Sequence, residues 1–113
     1  MITQVRPMDL SAWFKAAPAG TQPVVLDVRE PGELRTASIQ PDGFTLVTIP
    51  MGSIPARLSE LDPEQPIACL CHHGARSMQV ASFLQSRGFD RLANIAGGIQ
   101  AWSDERDPSV PRY

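Results

Sequence analysis

Seven consecutive residues, Cys71-His72-His73-Gly74-Ala75-Arg76-Ser77, bring together a thiol, two imidazoles, a glycine, a guanidinium and a hydroxyl. They lie between the apolar run Ile67-Ala68-Cys69-Leu70 and a stretch with helical apolar spacing, Val80, Ala81, Phe83 and Leu84. A turn of this kind at a strand end can wrap its backbone N–H groups, with the first unpaired amides of the following helix, around one anion-sized hollow. Gly74 is the residue type that supplies the positive φ tight curling demands. At the entrance of such a hollow, the amides and the fixed charge of Arg76 would favour the thiolate of Cys71, a nucleophile at neutral pH. Ser77 would hydrogen-bond the sulfur or cap the helix.

Cysteine is most often a small buried apolar residue, and Cys69, inside the strand with no polar neighbour, fits that role. Cys71 departs from it because glycine, arginine and serine follow within six positions. A metal site is not expected: ligands in the pattern Cys-x-Cys-His-His cannot easily surround one tetrahedral ion, and no second Cys/His pair completes a set. His72 and His73 are read instead as pH-dependent positive charge, as donors to a bound oxyanion, or as a solvated pair. Asp27 lies in an apolar run, where a carboxylate must be paired or hydrogen-bonded. Bracing of backbone or pairing with an arginine is the expected role, with Asp27 and Arg29 supporting the site.

The elements that must position these groups follow from the hydrophobic pattern. Met8 to Ala17 reads as a short amphipathic helix closed by Pro18-Ala19-Gly20, and Val24 to Val28 as a buried strand. A helical turn opens at Pro31, a second strand spans Phe44 to Ile49 and stops at Pro50, and Ile54 to Leu61 reads as helix. Ile67 to Leu70 is the third strand. The helix after the loop runs to about Arg87 with Gly88 as its C′ residue. Leu92 to Ile95 is a fourth strand, and Gly97 to Ser103 a last helix whose Trp102 belongs to the core. Alternating strands and helices predict an α/β domain with a central, mostly parallel sheet flanked by helices on both faces. Ligands bind beyond the carboxyl ends of such strands, where the loop lies.

The chain of 113 residues is the size of one domain. Its 11 prolines, about twice the roughly 5% norm, predict many abruptly ended elements. A net charge of −2 without a Lys/Arg stripe excludes an electrostatic footprint for nucleic acid or acidic membranes. No basic and apolar leader pattern opens the sequence, and no run reaches the ~20 apolar residues of a membrane span, so a cytoplasmic protein is expected. Cys69 and Cys71, two positions apart in a strand, are separated by about 6 to 7 Å. That exceeds the roughly 3.5 to 4.5 Å a disulfide needs between Cβ atoms, so both thiols are expected reduced.

Four stretches together resemble the single-domain rhodaneses, thiosulfate-type sulfurtransferases. They are Leu26-Asp27-Val28-Arg29-Glu30, Ile49-Pro50, Cys71 to Ser77, and Ala96-Gly97-Gly98-Ile99-Gln100-Ala101-Trp102, and they cover most of the chain. The resemblance implies one rhodanese-like domain over 1–113. It implies a Cys71 persulfide cycle without cofactor: an anionic sulfur donor such as thiosulfate is held by the backbone of residues 72–77, and a small thiol or protein accepts the sulfur. The sequence departs from the family at Ala37-Ser38-Ile39, where Gly-His-Ile is usual, and at Leu70, where an aromatic residue often precedes the nucleophile. Two other readings stand beside it. Cysteine phosphatases and arsenate reductases also use cysteine and arginine in an anion loop, but the phosphatase pattern resembles Cys-x5-Arg, whereas four residues separate Cys71 from Arg76. A non-catalytic rhodanese-like module for binding or redox sensing is the third.

Overall fold

Residues 2–113 are described by a computed structural model. Nine regular elements form around one sheet: β1 Thr3–Val5, α1 Leu10–Lys15, β2 Val24–Asp27, α2 Pro31–Thr36, β3 Thr45–Thr48, β4 Ile67–Leu70, α3 Ala75–Ser86, β5 Leu92–Ile95 and α4 Gly98–Glu105. The strands lie in the order β1-β5-β4-β2-β3, every neighbouring pair parallel. The predicted α/β class holds, and the sheet is parallel throughout.

β2, β4 and β5 are buried at every position, as sheets covered on both faces require. Side-chain alternation divides their residues between two cores. Leu26, Val28, Ile67, Cys69 and Cys71 pack with Val80, Ala81 and Leu84 of α3 and with Ile54 and Leu61. Val25, Ala68, Leu70, Ala93 and Ile95 face the other way, onto Leu10, Phe44, Ile99 and Trp102. Trp102 is buried with its ring edge-on to Phe44. The segment after α4 packs on this core: Val110 is buried and its carbonyl accepts from Ser103 Oγ at 2.8 Å.

Three expectations are corrected. Residues 54–61 are not an α-helix: turns over 54–57 link two 3-10 segments, Met51–Ser53 and Leu58–Glu60. The backbone closes mostly i→i+3 turns there, with a single i→i+4 bond from Arg57 N–H to Ser53 O at 3.1 Å. The first helix is shorter than 8–17, because a 3-10 turn at Pro7–Asp9 precedes α1. β1 went unpredicted, its three residues too few and too polar for a periodic signal. It pairs with β5, setting Gln4 beside Asn94. Among the described residues no helix is long and apolar enough to cross a membrane.

At the carboxyl end of β2, Asp27 and Arg29 form a buried ion pair, with Arg29 Nη2 2.7 Å and Nε 2.9 Å from the carboxylate oxygens. The Arg29 backbone N–H also donates to Asp27 Oδ1, and Nη1 reaches the Glu33 carbonyl and the Tyr113 hydroxyl. Removing one partner of such a pair leaves an uncompensated buried charge. Asp27→Asn is therefore expected to lower unfolding free energy by about 3–5 kcal/mol, measured by urea denaturation; a loss below about 1 kcal/mol would show that the guanidinium finds other partners.

Candidate active site

Cys71 directly follows β4, the central strand, and is buried at 1% exposure. It lies beneath the loop and not at its entrance as the sequence suggested, because the loop folds back over the sulfur. Gly74 N–H donates to Cys71 Sγ at 3.1 Å, and Ser77 Oγ lies 3.2 Å from the same sulfur. Gly74, at φ +112, is the N-cap of α3. Its positive φ turns the chain so that this amide points back at the thiol.

The loop's carbonyls are held from outside. The first amides of α4 take two of them, Ile99 N–H donating to Cys71 O at 2.9 Å and Gln100 N–H to His72 O at 3.4 Å. Asn94 Nδ2 on β5 donates to Gly74 O at 3.1 Å. Among the described residues all peptides are trans, so each N–H lies opposite the carbonyl of its peptide. The N–H groups of His72, His73 and Ala75 thus lie opposite the three carbonyls that α4 and Asn94 take. Gly97 and Gly98 make this possible, with φ +80 and +59. A Cβ on Gly98 would lie 2.3 Å from His72 O and 2.5 Å from Cys71 O. The glycines form the entry turn of α4, and they also admit the backbone of the loop.

Arg76 does not present a free cation to the sulfur. Its Nη1 and Nη2 pair bidentately with Glu33 of α2 at 2.6 and 2.8 Å. Glu33 also accepts from Glu30 N–H and from the Tyr113 hydroxyl. Hydrogen bonding from Arg76 is the main cause that holds the Glu33 carboxyl down at about 2. Tyr113 in turn stacks on His72, ring centroids 3.9 Å apart, and the other neighbour of His72 is His73, also at 3.9 Å. Burial foremost holds His72 below the ordinary imidazole value, which opposes the positive charge the sequence offered there. His73 is hydrogen-bonded to Gln100 on α4 at 2.9 Å.

The structure thus gathers Cys71 to Ser77 at the end of β4 and places Asp27 and Arg29 one strand away, as a brace joined to the loop through Tyr113. Three residues escaped the sequence reading: Glu33, Asn94 and Tyr113. Glu33 had a signal, as the N3 residue of a helix opened by Glu30-Pro31. Asn94 had a weaker one, an amide in an otherwise apolar strand. Tyr113 had none. Ser77 and Asn94 are both buried and share a close hydrogen bond. Among the described residues no group of three or more His, Cys, Asp or Glu is arranged to hold a metal ion.

Against known proteins, the profile of the rhodanese-like domain matches residues 10–105. A chloroplastic protein of Arabidopsis thaliana with a rhodanese-like and a PpiC domain is 46% identical over 91 residues, 79% of this chain; the chain spans 30% of that protein. A sulfurtransferase of Allochromatium vinosum is 39% identical over 93 residues, 81% of this chain and 83% of its own. The crystal structure of a rhodanese-related protein from Thermoplasma volcanium superposes with a TM-score of 0.76 at 32% identity, over 98% of this chain and 99% of the other.

Two outcomes follow from this geometry. Gly98→Ala forces a Cβ onto the loop at a left-handed φ, and is expected to lower stability by about 1–3 kcal/mol and to change the iodoacetamide reactivity of Cys71; wild-type behaviour in both would refute the close approach. The low Glu33 value makes its stabilisation complete above its ordinary value of 4.5 and lost as pH falls toward about 2. In Glu33→Gln, the fall of thermal midpoint with pH across that window should be shallower than in wild type.

Proposed function

Because the chain belongs to the rhodanese-like domain family, we propose that it is a sulfurtransferase that carries sulfane sulfur on Cys71. The observation that carries the reading is the Cys71 sulfur lying in an amide-lined loop with the Gly74 N–H directed at it. In the first half-reaction the thiolate attacks the outer sulfur of an anionic donor, with thiosulfate as the test case. A bond forms between Cys71 Sγ and that sulfur while the donor's S–S bond breaks, and sulfite leaves with the electron pair. In the second, a nucleophilic acceptor such as cyanide or a thiol takes the outer sulfur, the persulfide bond breaks, and the thiolate of Cys71 returns. No cofactor is required, and the kinetics are ping-pong.

Preorganised dipoles in a dry site act strongly on charge that develops during reaction. Here the amides of residues 72–77 supply them, whereas the charge of Arg76 is shared with Glu33. With no lysine in the loop and its one arginine so paired, affinity for thiosulfate is expected to be modest. Transfer of phosphoryl groups is disfavoured by the short spacing between Cys71 and Arg76.

The test is intact-mass spectrometry of the reduced protein after thiosulfate treatment. Wild type and Cys69→Ser are expected to gain one sulfur atom and Cys71→Ser none. Cys69 is spared because burial pushes its thiol up to about 12, leaving it protonated at neutral pH. Addition to Cys71→Ser would overturn the assignment, and addition to none would remove thiosulfate as a donor.

A further inference from the structure

We infer that Asn94 sets the direction of the Ser77 hydroxyl and thereby restrains the Cys71 thiol, which makes Asn94 a positioning residue of the proposed reaction. The inference rests on Cys71 as the reacting thiol, and its argument is one of donors and acceptors. Asn94 Nδ2 donates to Gly74 O at 3.1 Å and to Gln4 Oε1 at 3.0 Å. A carbonyl can only accept, so the contact with Gly74 fixes which end of the amide is nitrogen. Oδ1 of Asn94 then faces Ser77, and since it too can only accept, the Ser77 hydroxyl proton lies on Asn94.

Ser77 has one proton to give. With that proton on Asn94, Ser77 offers Cys71 a lone pair, across 3.2 Å. The thiol S–H satisfies it by donating. A thiolate does not, and it gains the Ser77 hydrogen bond only when the hydroxyl turns away from Asn94. Asn94 therefore competes with the thiolate for one proton and favours the resting thiol, while the Gly74 N–H serves either form. Turning of the hydroxyl would accompany each ionisation of Cys71 in the cycle.

An apolar replacement of Asn94 releases Ser77 to donate to the sulfur without changing the charge of the site. The charged and titratable groups around Cys71 are His72 and His73 in the loop, the Arg76–Glu33 pair from α3 and α2, Tyr113 beyond it, Cys69 on β4 and the Asp27–Arg29 pair on β2. All keep their charges in such a variant.

The experiment is the rate of Cys71 alkylation by iodoacetamide, followed by mass, from about pH 6 to about pH 10. The thiolate forms an S–C bond and iodide leaves, so no sulfur donor is involved. Asn94→Leu and the β-branched Asn94→Val are expected to react about three- to tenfold faster than wild type near pH 7, the worth of one hydrogen bond, with the rates converging at high pH. In Ser77→Ala the added Asn94→Leu should change nothing. A loop merely loosened by loss of the Gly74 contact would react faster at every pH and would do so without Ser77. That pattern, or Asn94 variants no faster than wild type, overturns the inference.

Infrared spectra of the wild type keep the test valid if both variants fail to fold. The S–H stretch that disappears in Cys71→Ser should lie at the lower frequency of a donating thiol and move up in Ser77→Ala; an unmoved band refutes the donation. Neither readout uses sulfur transfer, so a failure to load sulfur from thiosulfate would leave this result standing by itself.

Discussion

The site depends on the close approach between Gly98 and the carbonyls of Cys71 and His72. A carbonyl and the following N–H share one plane and point in opposite directions. A loop can therefore present several N–H groups to one side only if something takes its carbonyls on the other. Here the opening amides of α4 take two and Asn94 takes a third. The helix must begin against the loop backbone, which no side chain at position 98 would allow. Two successive positive-φ glycines are thus part of the proposed anion cradle although neither need touch an anion.

The strand order explains why the cradle lies where it does. β4 is central; its crossover through α3 leads toward β5, while that of β2 through α2 leads the opposite way, to β3. A crevice opens beyond the carboxyl ends of two strands whose connections diverge. The loop after β4 occupies one wall and the start of α2 the other, and Glu33 with Arg76 ties them together. The Asp27–Arg29 pair beneath them is rigid because Arg29 is fully buried and its guanidinium reaches the Glu33 carbonyl and Tyr113 as well. One polar network thus runs from the end of β2 to the Tyr113 hydroxyl, whose ring stacks on His72.

The strand limits at Ile67–Leu70 and Leu92–Ile95 were legible because buried parallel strands are continuous apolar runs, and the loop was legible because its residue types are rare in combination. What escaped was of two kinds. β1 is three residues long and held by ladder bonds to β5, so its identity resides in its neighbour and not in its own pattern. The pairing of Arg76 joins positions 43 apart in sequence, and that of Tyr113 with Glu33 joins positions 80 apart. No local spacing carries such contacts. The segment 54–61 has the apolar spacing of a helix, but its backbone closes mostly i→i+3 turns instead.

Cys69 and Cys71 test what makes a cysteine reactive in this fold. Both face α3, both are free and both are buried, so neither exposure nor face distinguishes them. Around Cys69 burial acts unopposed and pushes its thiol up to about 12. Around Cys71 burial is countered by the Gly74 N–H, which is directed at the sulfur. The difference of two residues is the difference between a sulfur inside a strand, where every N–H belongs to the ladder, and one at its end, where the next turn has amides to spare. In the proposed reaction it is therefore the end of β4, more than the thiol itself, that determines which cysteine carries sulfur. The charge of Arg76, already matched by Glu33, need not be consumed in doing so.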